Sequence, residues 1–529
     1  MPSYSQQQQD SNPKRSTPSQ QRQRQRQRQR QQTQKYPSFA LWVSALLILF
    51  LALFFSFKFP NMTTTITTSY HRFLKPSFPS SKPARILRML IQTFTKTKTT
   101  TIQLQEKKIE KPNSMPSPIC LLWMAPFLSG GGYSSEAWSY ITALSDLARK
   151  KESSYPRIRL RIEHHGDQES LDFWIGLPQK LRGLAQKLYA AECDLDETVV
   201  ICHSEPGAWY PPLFETFPCP PPTYGEEMPL FVVGRTMFET DRVSPEHVKR
   251  CNRMDSVWVP TDFHVSSFVR SGVDPSKVVK MVQPVDVGFF NPSKHKALDL
   301  PSGGLILGSH VQNSEKKEFV FLSIFKWEYR KGWDVLLRSY LTEFCKHDGV
   351  VLYLLTNPYH SDKEFGSKIL KFVEDSNVVE PLDGWAPVYV VDTHVPQIDL
   401  PKLYKAANAF VLPSRGEGWG RPLVEAMSMA LPVIATNWSG PTEFLTEENA
   451  YPLPFDHMSE VTEGPFQGHL WAEPSVDKLR VLMRHVISNP EEARRKGIQA
   501  REDMIRRFSP EVVAGLVVDQ ILKISKKNV

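Results

Sequence analysis

The stretch of sequence that decides the fold runs from Ser414 to Leu445 and reads SRGEGWGRPLVEAMSMALPVIATNWSGPTEFL. It follows a short apolar run that ends at Leu412, and it opens with a loop containing three glycines. Those glycines are Gly416, Gly418 and Gly420. Pro422 suits the first turn of a helix, and a second apolar run resumes at Pro432. The pattern predicts a buried strand, a Gly-rich loop, a helix and the next strand of a parallel α/β sheet.

Such a loop is typical of a binding site for a diphosphate. Glycines let the backbone approach a ligand closely, and the helix N-terminus offers unpaired N–H groups and the positive end of a dipole. Ligands of parallel sheets bind at the carboxyl ends of the strands, where this loop lies. Two acids flank the loop: Glu417 lies within it, and Glu425 lies about one turn into the helix. The alternative is a helix-capping loop with two solvated glutamates.

The same alternation of strands and helices extends on both sides of this stretch. Before it, apolar runs at 119–124, 157–163, 199–202, 230–233 and 257–259 indicate strands, with helical segments between them. A weakly patterned break with prolines and glycines covers 290–318, and strand patterns restart at Phe319–Phe325. The expected fold is α/β, with two doubly wound domains at 118–300 and 301–509 facing a cleft. A last helical segment, 510–529, is expected to cross back.

The segment GEGWGRPLVEAM, with Glu417 and Glu425, resembles the EX7E retaining glycosyltransferases of the GT-B fold, sequence family 4. The resemblance implies two Rossmann-like domains and transfer of a sugar from a nucleotide-diphosphate donor, with UDP- or GDP-sugars as candidates. It implies that Glu417 contacts the donor sugar and that Glu425 holds the nucleotide ribose. Gly416, Gly418, Gly420 and Arg421 then belong to the donor site. No resident cofactor or metal is implied.

The segment SIFKWEYRKGWDVLL at 323–337 is similar to the family's diphosphate-binding strand and loop. Lys331 and Gly332 match the family pattern, but Lys326 stands where the family usually has arginine. Lysine is a point charge and cannot form the two-pronged contact of arginine. Arg330 is a candidate to compensate. We expect Lys326, Arg330 and Lys331 to face the diphosphate, with Lys331 acting in catalysis.

Two further segments resemble the family's N-terminal domain. PFLSGGGYSSEAW at 126–138 is similar to its glycine loop, which assigns Gly131 and Gly132 to donor binding. VVICHSEPGAW at 199–209 places His203 at a strand end, where the family often has a histidine facing the acceptor. His203 is therefore a candidate catalytic residue, with a purely structural histidine as the alternative. Two other functions stay open: an inactive GT-B protein that binds nucleotide or glycan, and a sugar-phosphate phosphorylase, for which no cofactor-lysine signature is present.

The front of the chain predicts a membrane anchor. Residues 39–57 form a run of nineteen residues without a charge, long enough for a helix to span a bilayer of about 30 Å. The rival, a cleavable signal peptide, usually has a shorter apolar region and a small-residue cleavage site. Six Lys/Arg at 20–38 against three at 58–77 indicate a cytosolic N-terminus. We expect a disordered Gln/Arg-rich tail at 1–38, a stem at 58–117 and a single-pass type II protein of the Golgi with a lumenal catalytic part.

Charge and cysteines limit the remaining partners. The chain carries a net charge of +8, but residues 1–35 carry +7 and residues 58–105 carry +8, so residues 106–529 carry −7. A mildly acidic folded part argues against nucleic acid as a partner. The expected partners are a nucleotide sugar, a glycan, lipid or protein acceptor, and the membrane. The six cysteines show no metal-ligand spacing, and we expect Cys120 and Cys202 to be buried thiols, while disulfides stay open.

Overall fold

The computed structural model describes residues 119–149, 158–221, 228–300, 304–311, 317–357, 364–391 and 395–527. All of these residues belong to one compact unit of the chain, Ser81–Val529. The tail at 1–38, the anchor at 39–57 and the stem at 58–117 lie outside the described residues, so these expectations stay predictions. No helix among the described residues is long and apolar enough to cross a membrane.

The first half of the described chain, residues 119–300, is built on a parallel sheet of six strands. The strands are β1 (Ile119–Ala125), β2 (Ile158–His164), β3 (Thr198–His203), β4 (Phe231–Arg235), β5 (Ser256–Val259) and β6 (Val278–Lys280). Their order across the sheet is β2-β1-β3-β4-β5-β6. Every residue of β3 is buried, which is why this strand reads as a continuous apolar run. The carboxyl ends of all six strands lie at one edge of the sheet because the strands are parallel.

The second half, residues 304–508, is built on a separate sheet of seven strands. The strands are β7 (Leu305–Leu307), β8 (Phe319–Lys326), β9 (Val350–Asn357), β10 (Val388–Val391), β11 (Ala409–Leu412), β12 (Val433–Thr436) and β13 (Tyr451–Leu453). Their order is β13-β12-β11-β8-β9-β10-β7. All neighbours are parallel except β7, an antiparallel edge strand paired with β10 in the stretch where the sequence predicted only a break. The predicted α/β class with parallel sheets is confirmed.

Helices follow most strands and cover the faces of both sheets. They are α1 (Gly132–Arg149), α2 (Leu171–Gly176), α3 (Gln179–Tyr189), α4 (Pro245–Cys251), α5 (Asp262–Arg270), α6 (Trp333–Glu343), α7 (Phe365–Asp375), α8 (Leu400–Ala406), α9 (Arg421–Ser428), α10 (Val476–Ser488), α11 (Pro490–Phe508) and α12 (Pro510–Lys527). A turn of 3-10 helix at Tyr329–Lys331 precedes α6. Helix α9 begins directly after the Gly-rich loop, with Pro422 in its first turn as predicted.

The two halves contact each other at the carboxyl edges of their sheets. A β-hairpin of β14 (Phe455–Glu460) and β15 (Leu470–Pro474) extends from the second half, and the sequence analysis did not predict it. Its far end binds the first half: the Asp241 amide donates to the Leu470 carbonyl at 2.9 Å, and the Leu470 amide donates to Asp241 Oδ1 at 2.7 Å. His469 Nδ1 and Thr240 Oγ1 are 2.9 Å apart. The hairpin therefore bridges the two halves.

The end of the chain returns to the first half. Helix α12 packs along α1, and the Val285 amide donates to the Phe508 carbonyl at 2.9 Å just before α12 begins. Val513, Val517 and Ile521, on one face of α12, are fully buried. The helical spacing of these residues explains why the last segment packs against a domain instead of lying free.

Four of the six cysteines form disulfides. Cys120 pairs with Cys193, and Cys202 pairs with Cys219. The expectation of buried thiols at Cys120 and Cys202 was therefore wrong, because a run of apolar residues reports burial and carries no information about a distant partner. Cys251, a buried residue, and Cys345 are free.

Candidate active site

A cavity of about 930 Å³ lies between the carboxyl edges of the two sheets. The second-half wall is formed by the loop after β8 and by the Gly-rich loop between β11 and α9. The first-half wall is formed by the start of α1 and by the segments after β3 and β4. The carboxyl edge of a parallel sheet is where the sequence analysis expected the ligand site. The chemistry of the two walls differs, and each is described in turn.

The centre of the second-half wall is an ion pair between Lys331 and Glu417. Lys331 Nζ lies 2.7 Å from Oε1 and 2.9 Å from Oε2 of Glu417. The two side chains are 14% and 8% exposed. Burial raises the pKa of Glu417, but the charges of Lys331 and Arg330 outweigh this effect and hold the pKa below its usual value. Glu417 is therefore an ionised acceptor at neutral pH, and the ammonium group of Lys331 has three N–H donors of which Glu417 takes at most two.

This pair is held by two loops that pack on each other. Gly332 has a φ of +67°, and a Cβ there would overlap the carbonyl of Pro413, so only glycine fits where the two loops touch. The Arg415 amide donates to the Arg330 carbonyl at 2.7 Å. The predicted match of Lys331-Gly332 to the family pattern thus has a physical reason, since the glycine brings Lys331 onto the loop that carries Glu417.

Arg330 supports the loop and is not free to compensate for Lys326. Its Nη1 donates to the Gly416 carbonyl at 2.6 Å, and its Nη2 lies 3.2 Å from Glu328 and 3.7 Å from Glu239. Burial lowers the pKa of Arg330, but Glu239, Glu417 and Glu328 outweigh burial and raise it. Arg330 lines the cavity, so it contributes positive charge there while it fixes the backbone of the Gly-rich loop.

Lys326 and Arg421 also line the cavity. Lys326 is the last residue of β8 and is exposed. Arg421 is the first residue of α9, and its Nη1 donates to Ser139 Oγ of α1 at 3.2 Å, across the cleft. Arg421 and Pro422, the first two residues of α9, line the same region, so two lysines, two arginines and the positive end of the helix dipole lie there together. This combination of charges favours a multiply charged anion electrostatically.

Glu425 lies behind this surface. Its side chain is 12% exposed, and the Tyr404 hydroxyl donates to its Oε2 at 3.0 Å. Burial raises the pKa of Glu425, and the nearby Arg421, 3.7 Å away, opposes the shift only in part. Arg421 and Pro422 line the cavity in front of it. Glu425 contacts Arg421 but is not among the described residues that line the cavity.

The glycines of the loop serve packing between the two halves. A Cβ at Gly416 would overlap the carbonyl of Glu239, and a Cβ at Gly418 would lie 2.7 Å from Sδ of Met237. Gly420 has a φ of +97° and starts α9. Our expectation that all three allow close approach to a ligand was therefore incomplete, because Gly416 and Gly418 are required by the first half of the chain itself.

Of the two first-half glycines assigned to donor binding, one lines the cavity. Gly132 begins α1 and lines the cavity, so the N-terminus of an eighteen-residue helix faces it from the opposite side. Gly131 instead lies next to the Asp167 carboxylate, 3.4 Å from where its Cβ would be. The structure brings Gly132, and not Gly131, to the cavity surface.

His203 lies inside the first half and not in the wall of the cleft. Its side chain is fully buried, with Trp123 Nε1 donating to its Nδ1 at 3.0 Å and Glu136 Oε2 lying 3.1 Å from its Nε2. Burial lowers the pKa of His203, and Glu136 opposes this shift. A buried ring without exposed surface cannot touch a substrate, so the described geometry corresponds to the structural alternative and corrects the expectation that His203 faces an acceptor.

The cavity residues that the sequence did not reveal include Tyr133, Glu205, Glu239 and Phe466. Tyr133 and Glu205 lie within segments that were identified, close to Gly132 and His203, but no motif marks them. Phe466 belongs to the unpredicted hairpin. Position after a buried strand was the one available signal, and it applies to Glu205, two residues beyond the end of β3.

Comparison with known proteins finds a family similarity within the second half. Residues 316–461 match the model of the family described as glycosyl transferases group 1. The matched residues cover β8 to β14 and include Lys326, Lys331, Glu417 and Glu425.

Two curated relatives are similar over short segments. The O-antigen chain mannosyltransferase B of Escherichia coli is 39% identical over 82 residues, which are 15% of this chain and 22% of that protein. An uncharacterised glycosyltransferase of Methanocaldococcus jannaschii is 30% identical over 143 residues, 27% of this chain and 32% of that protein. The chain thus spans between a fifth and a third of the length of these two relatives.

Among solved structures, HepE of Anabaena in complex with UDP-glucose is similar with a TM-score of 0.47 and 13% identity, over 76% of this chain and 99% of that chain. Sequence identity this low, with such a loose superposition, carries no functional detail to this chain.

Proposed function

We propose that this protein is a glycosyltransferase that moves a sugar from a nucleotide-diphosphate sugar, a UDP- or GDP-sugar, to a glycan, lipid or protein acceptor with retention of anomeric configuration. The observation that carries the proposal is the convergence of Lys326, Lys331 and Arg421 with the N-terminus of α9 on one wall of the cavity. A leaving diphosphate gains negative charge as the sugar bond breaks. Preorganised cations and amides aimed at that charge are usually the largest catalytic contribution.

The proposed roles of Lys331 and Glu417 follow from where their side chains lie, and the proposed role of Glu425 follows from the resemblance to the family. Lys331 keeps at least one N–H for a phosphate oxygen while it holds Glu417, so it acts on the leaving group and on the loop together. Glu417 is ionised, ordered and directed at the cavity, where it contacts the donor sugar. Glu425, one turn into α9, accepts hydrogen bonds from the ribose hydroxyls. No general base is assigned, because front-face attack with retention uses the leaving phosphate itself.

The cations of the chain supply the positive charge that the diphosphate needs, and we propose that no resident metal or cofactor takes part. The nucleotide sugar enters as a substrate. This part of the proposal rests on the resemblance to GT-B enzymes and on the four Lys and Arg side chains around the cavity.

The test is a donor screen on the full chain in detergent. A nucleotide sugar at 100 times its dissociation constant should stabilise the protein by about 2.7 kcal/mol in thermal unfolding. Release of nucleoside diphosphate in water or with acceptors measures turnover, and NMR of the product gives its anomeric configuration. Arg421→Ala should weaken both binding and turnover, whereas Lys478→Ala, an exposed lysine on α10, serves as the matched control. The proposal is abandoned if no nucleotide sugar stabilises the chain.

An inactive protein that binds nucleotide or glycan is the second candidate, and Lys326 favours it. This lysine stands where the resemblance expects an arginine, and Arg330 is engaged by the Gly416 carbonyl. Stabilisation by a nucleotide sugar without release of diphosphate, with every acceptor tried, would select this alternative.

We also propose that the protein is a single-pass type II membrane protein of the Golgi, with the residues after 57 in the lumen. The two disulfides support a lumenal catalytic part, because such bonds persist in oxidising compartments and are rare in the cytosol. Protease treatment of sealed microsomes should leave the catalytic part intact until detergent is added. Digestion without detergent would refute the orientation.

A further inference from the structure

The two walls of the cavity carry opposite charge. Among the described residues that line it, the second half contributes four Lys and Arg side chains and two glutamates, whereas the first half contributes Glu205 and Glu239 and neither Lys nor Arg. A donor diphosphate fits the basic wall, so the acidic wall is left for the other substrate. This division bears on the acceptor, whose class the proposed function leaves open.

Glu205 presents a carboxylate to the cavity in a fixed position. Its Oε1 lies 3.1 Å from Nε2 of His247, and its side chain is 42% exposed. The turn after it is rigid, since Pro206–Ala208 forms a 3-10 turn whose three residues are buried. An ionised carboxylate accepts hydrogen bonds and donates none, so it selects a partner that presents donors, such as the hydroxyl groups of a sugar.

An aromatic surface lies beside Glu205. Phe466, from the tip of the β14–β15 hairpin, packs edge-to-face on Phe238 with ring centroids 5.4 Å apart and contacts the ring of His247 at 6.3 Å. Phe466 is partly exposed and lines the cavity, as does Tyr133, whose hydroxyl donates to the Met237 carbonyl at 3.1 Å. Aromatic faces combined with a few placed polar groups are the usual construction of a small-molecule site. A pyranose ring matches it, since it offers apolar C–H faces and equatorial hydroxyls.

We infer that Glu205, Glu239, Tyr133 and Phe466 form an acceptor subsite that takes an uncharged saccharide and rejects one carrying a phosphate or carboxylate. An anionic group placed there would face two carboxylates with no cation from the first half. Arg330 of the second half lies 3.7 Å from Glu239, but it is already engaged by Glu328 and by the Gly416 carbonyl. Juxtaposed like charges therefore disfavour the anionic partner. The inference rests on the proposed transferase function and adds the chemical class of its acceptor.

The experiment compares matched acceptors with the full chain and the donor found in the screen. The acceptors are a neutral disaccharide, the same disaccharide carrying a 6-phosphate, and its uronic acid form. Wild-type kcat/KM should be at least tenfold higher for the neutral member than for either anionic member. Glu205→Gln keeps the size of the side chain and removes its charge, so it should reduce that ratio at least fivefold. Glu463→Gln, an exposed hairpin residue outside the cavity lining, should leave the ratio unchanged.

The ratio is taken within each variant, so a general loss of activity does not imitate the effect. Equal or better use of the anionic acceptors by the wild type would overturn the inference, and so would failure of every neutral saccharide or an unchanged ratio in Glu205→Gln. Donor hydrolysis by the wild type in the absence of acceptor reports separately on the transferase proposal. Presenting the same disaccharide free, on an alkyl chain or on a peptide identifies whether glycan, lipid or protein carries the neutral sugar.

Discussion

Lys331→Ala tests the core of the proposed chemistry. The change removes the ammonium that lies 2.7 and 2.9 Å from the two oxygens of Glu417, and it leaves Arg330, at 3.5 Å, as the nearest cation. Loss of one preorganised contact to developing charge typically costs about 2.7–4 kcal/mol, which is roughly 10²–10³-fold in rate. We therefore expect kcat/KM to fall by that factor, with most of the loss in kcat, because the phosphate charge grows only as the bond breaks.

The same change should also lower stability, for a separate reason. Glu417 is 8% exposed, and a buried carboxylate that loses its partner costs about 3–5 kcal/mol. Since Arg330 remains nearby, we expect the lower end, about 3 kcal/mol in urea unfolding. The double variant Lys331→Ala with Glu417→Gln removes the stranded charge and should recover most of the stability but none of the rate.

The measurements are kcat and KM with the true donor, and urea midpoints for each variant, with Lys478→Ala as the control. A folded Lys331→Ala protein with turnover within threefold of the wild type would refute the assignment of the leaving group to this wall of the cavity. Recovery of rate in the double variant would show that Lys331 acts only by neutralising Glu417.

Four further outcomes are expected. Glu425→Ala should raise the dissociation constant of the nucleotide about tenfold while kcat changes less, because a ribose contact is present before and during reaction; isothermal titration and kinetics check this. Gly416→Ala should lower the free energy of unfolding by about 1–3 kcal/mol and kcat/KM about 10²-fold, because the added methyl group forces the two halves apart. The control Gly183→Ala, at an open position in a helix, should have neither effect. His203→Ala should cost about 3–5 kcal/mol in urea unfolding, and normal stability with lost transfer would restore a direct catalytic role. Burial lowers the pKa of His165 to about 4 from 6.5, so the unfolded chain binds this proton more readily than the folded chain. The free energy of unfolding should therefore fall by roughly 3 kcal/mol as the pH is lowered from 6.5 to 4. His165→Gln should reduce this loss of stability at low pH, and an unchanged loss would contradict the argument.

Strands buried on both faces were predictable, because most of their residues are apolar and follow one another without a break. Residues 199–202 and 409–412 read as strands from sequence alone and are wholly buried in the structure. The hairpin strand Phe455–Glu460 was not predictable, since its residues are exposed or half-buried and show no apolar alternation. The edge strand Leu305–Leu307 is too short to stand out among the glycines and prolines around it.

Site residues were predictable where the end of a strand determines their position. They were not predictable where the direction of the side chain determines whether they reach the cavity. Lys331 and Glu417 follow neighbouring strands of one parallel sheet, so their meeting follows from the topology. His203 also ends a strand, but successive side chains of a strand point to opposite faces, and this one points inward to Glu136. The sequence pattern reveals neither the direction of the His203 side chain nor the distant loop that brings Phe466 to the acidic wall.

The β14–β15 hairpin bears on which step limits kcat. By chain connection it belongs to the second half, yet its far end is hydrogen-bonded to the first half through Asp241 and Thr240. Any outward rotation of one half must therefore separate these bonds and the contact between Phe466 and Phe238. Lid and domain opening often limits kcat in enzymes that enclose their substrates. Substitutions at Asp241, which touches neither proposed substrate, should then change how fast products leave without changing how fast the sugar bond breaks.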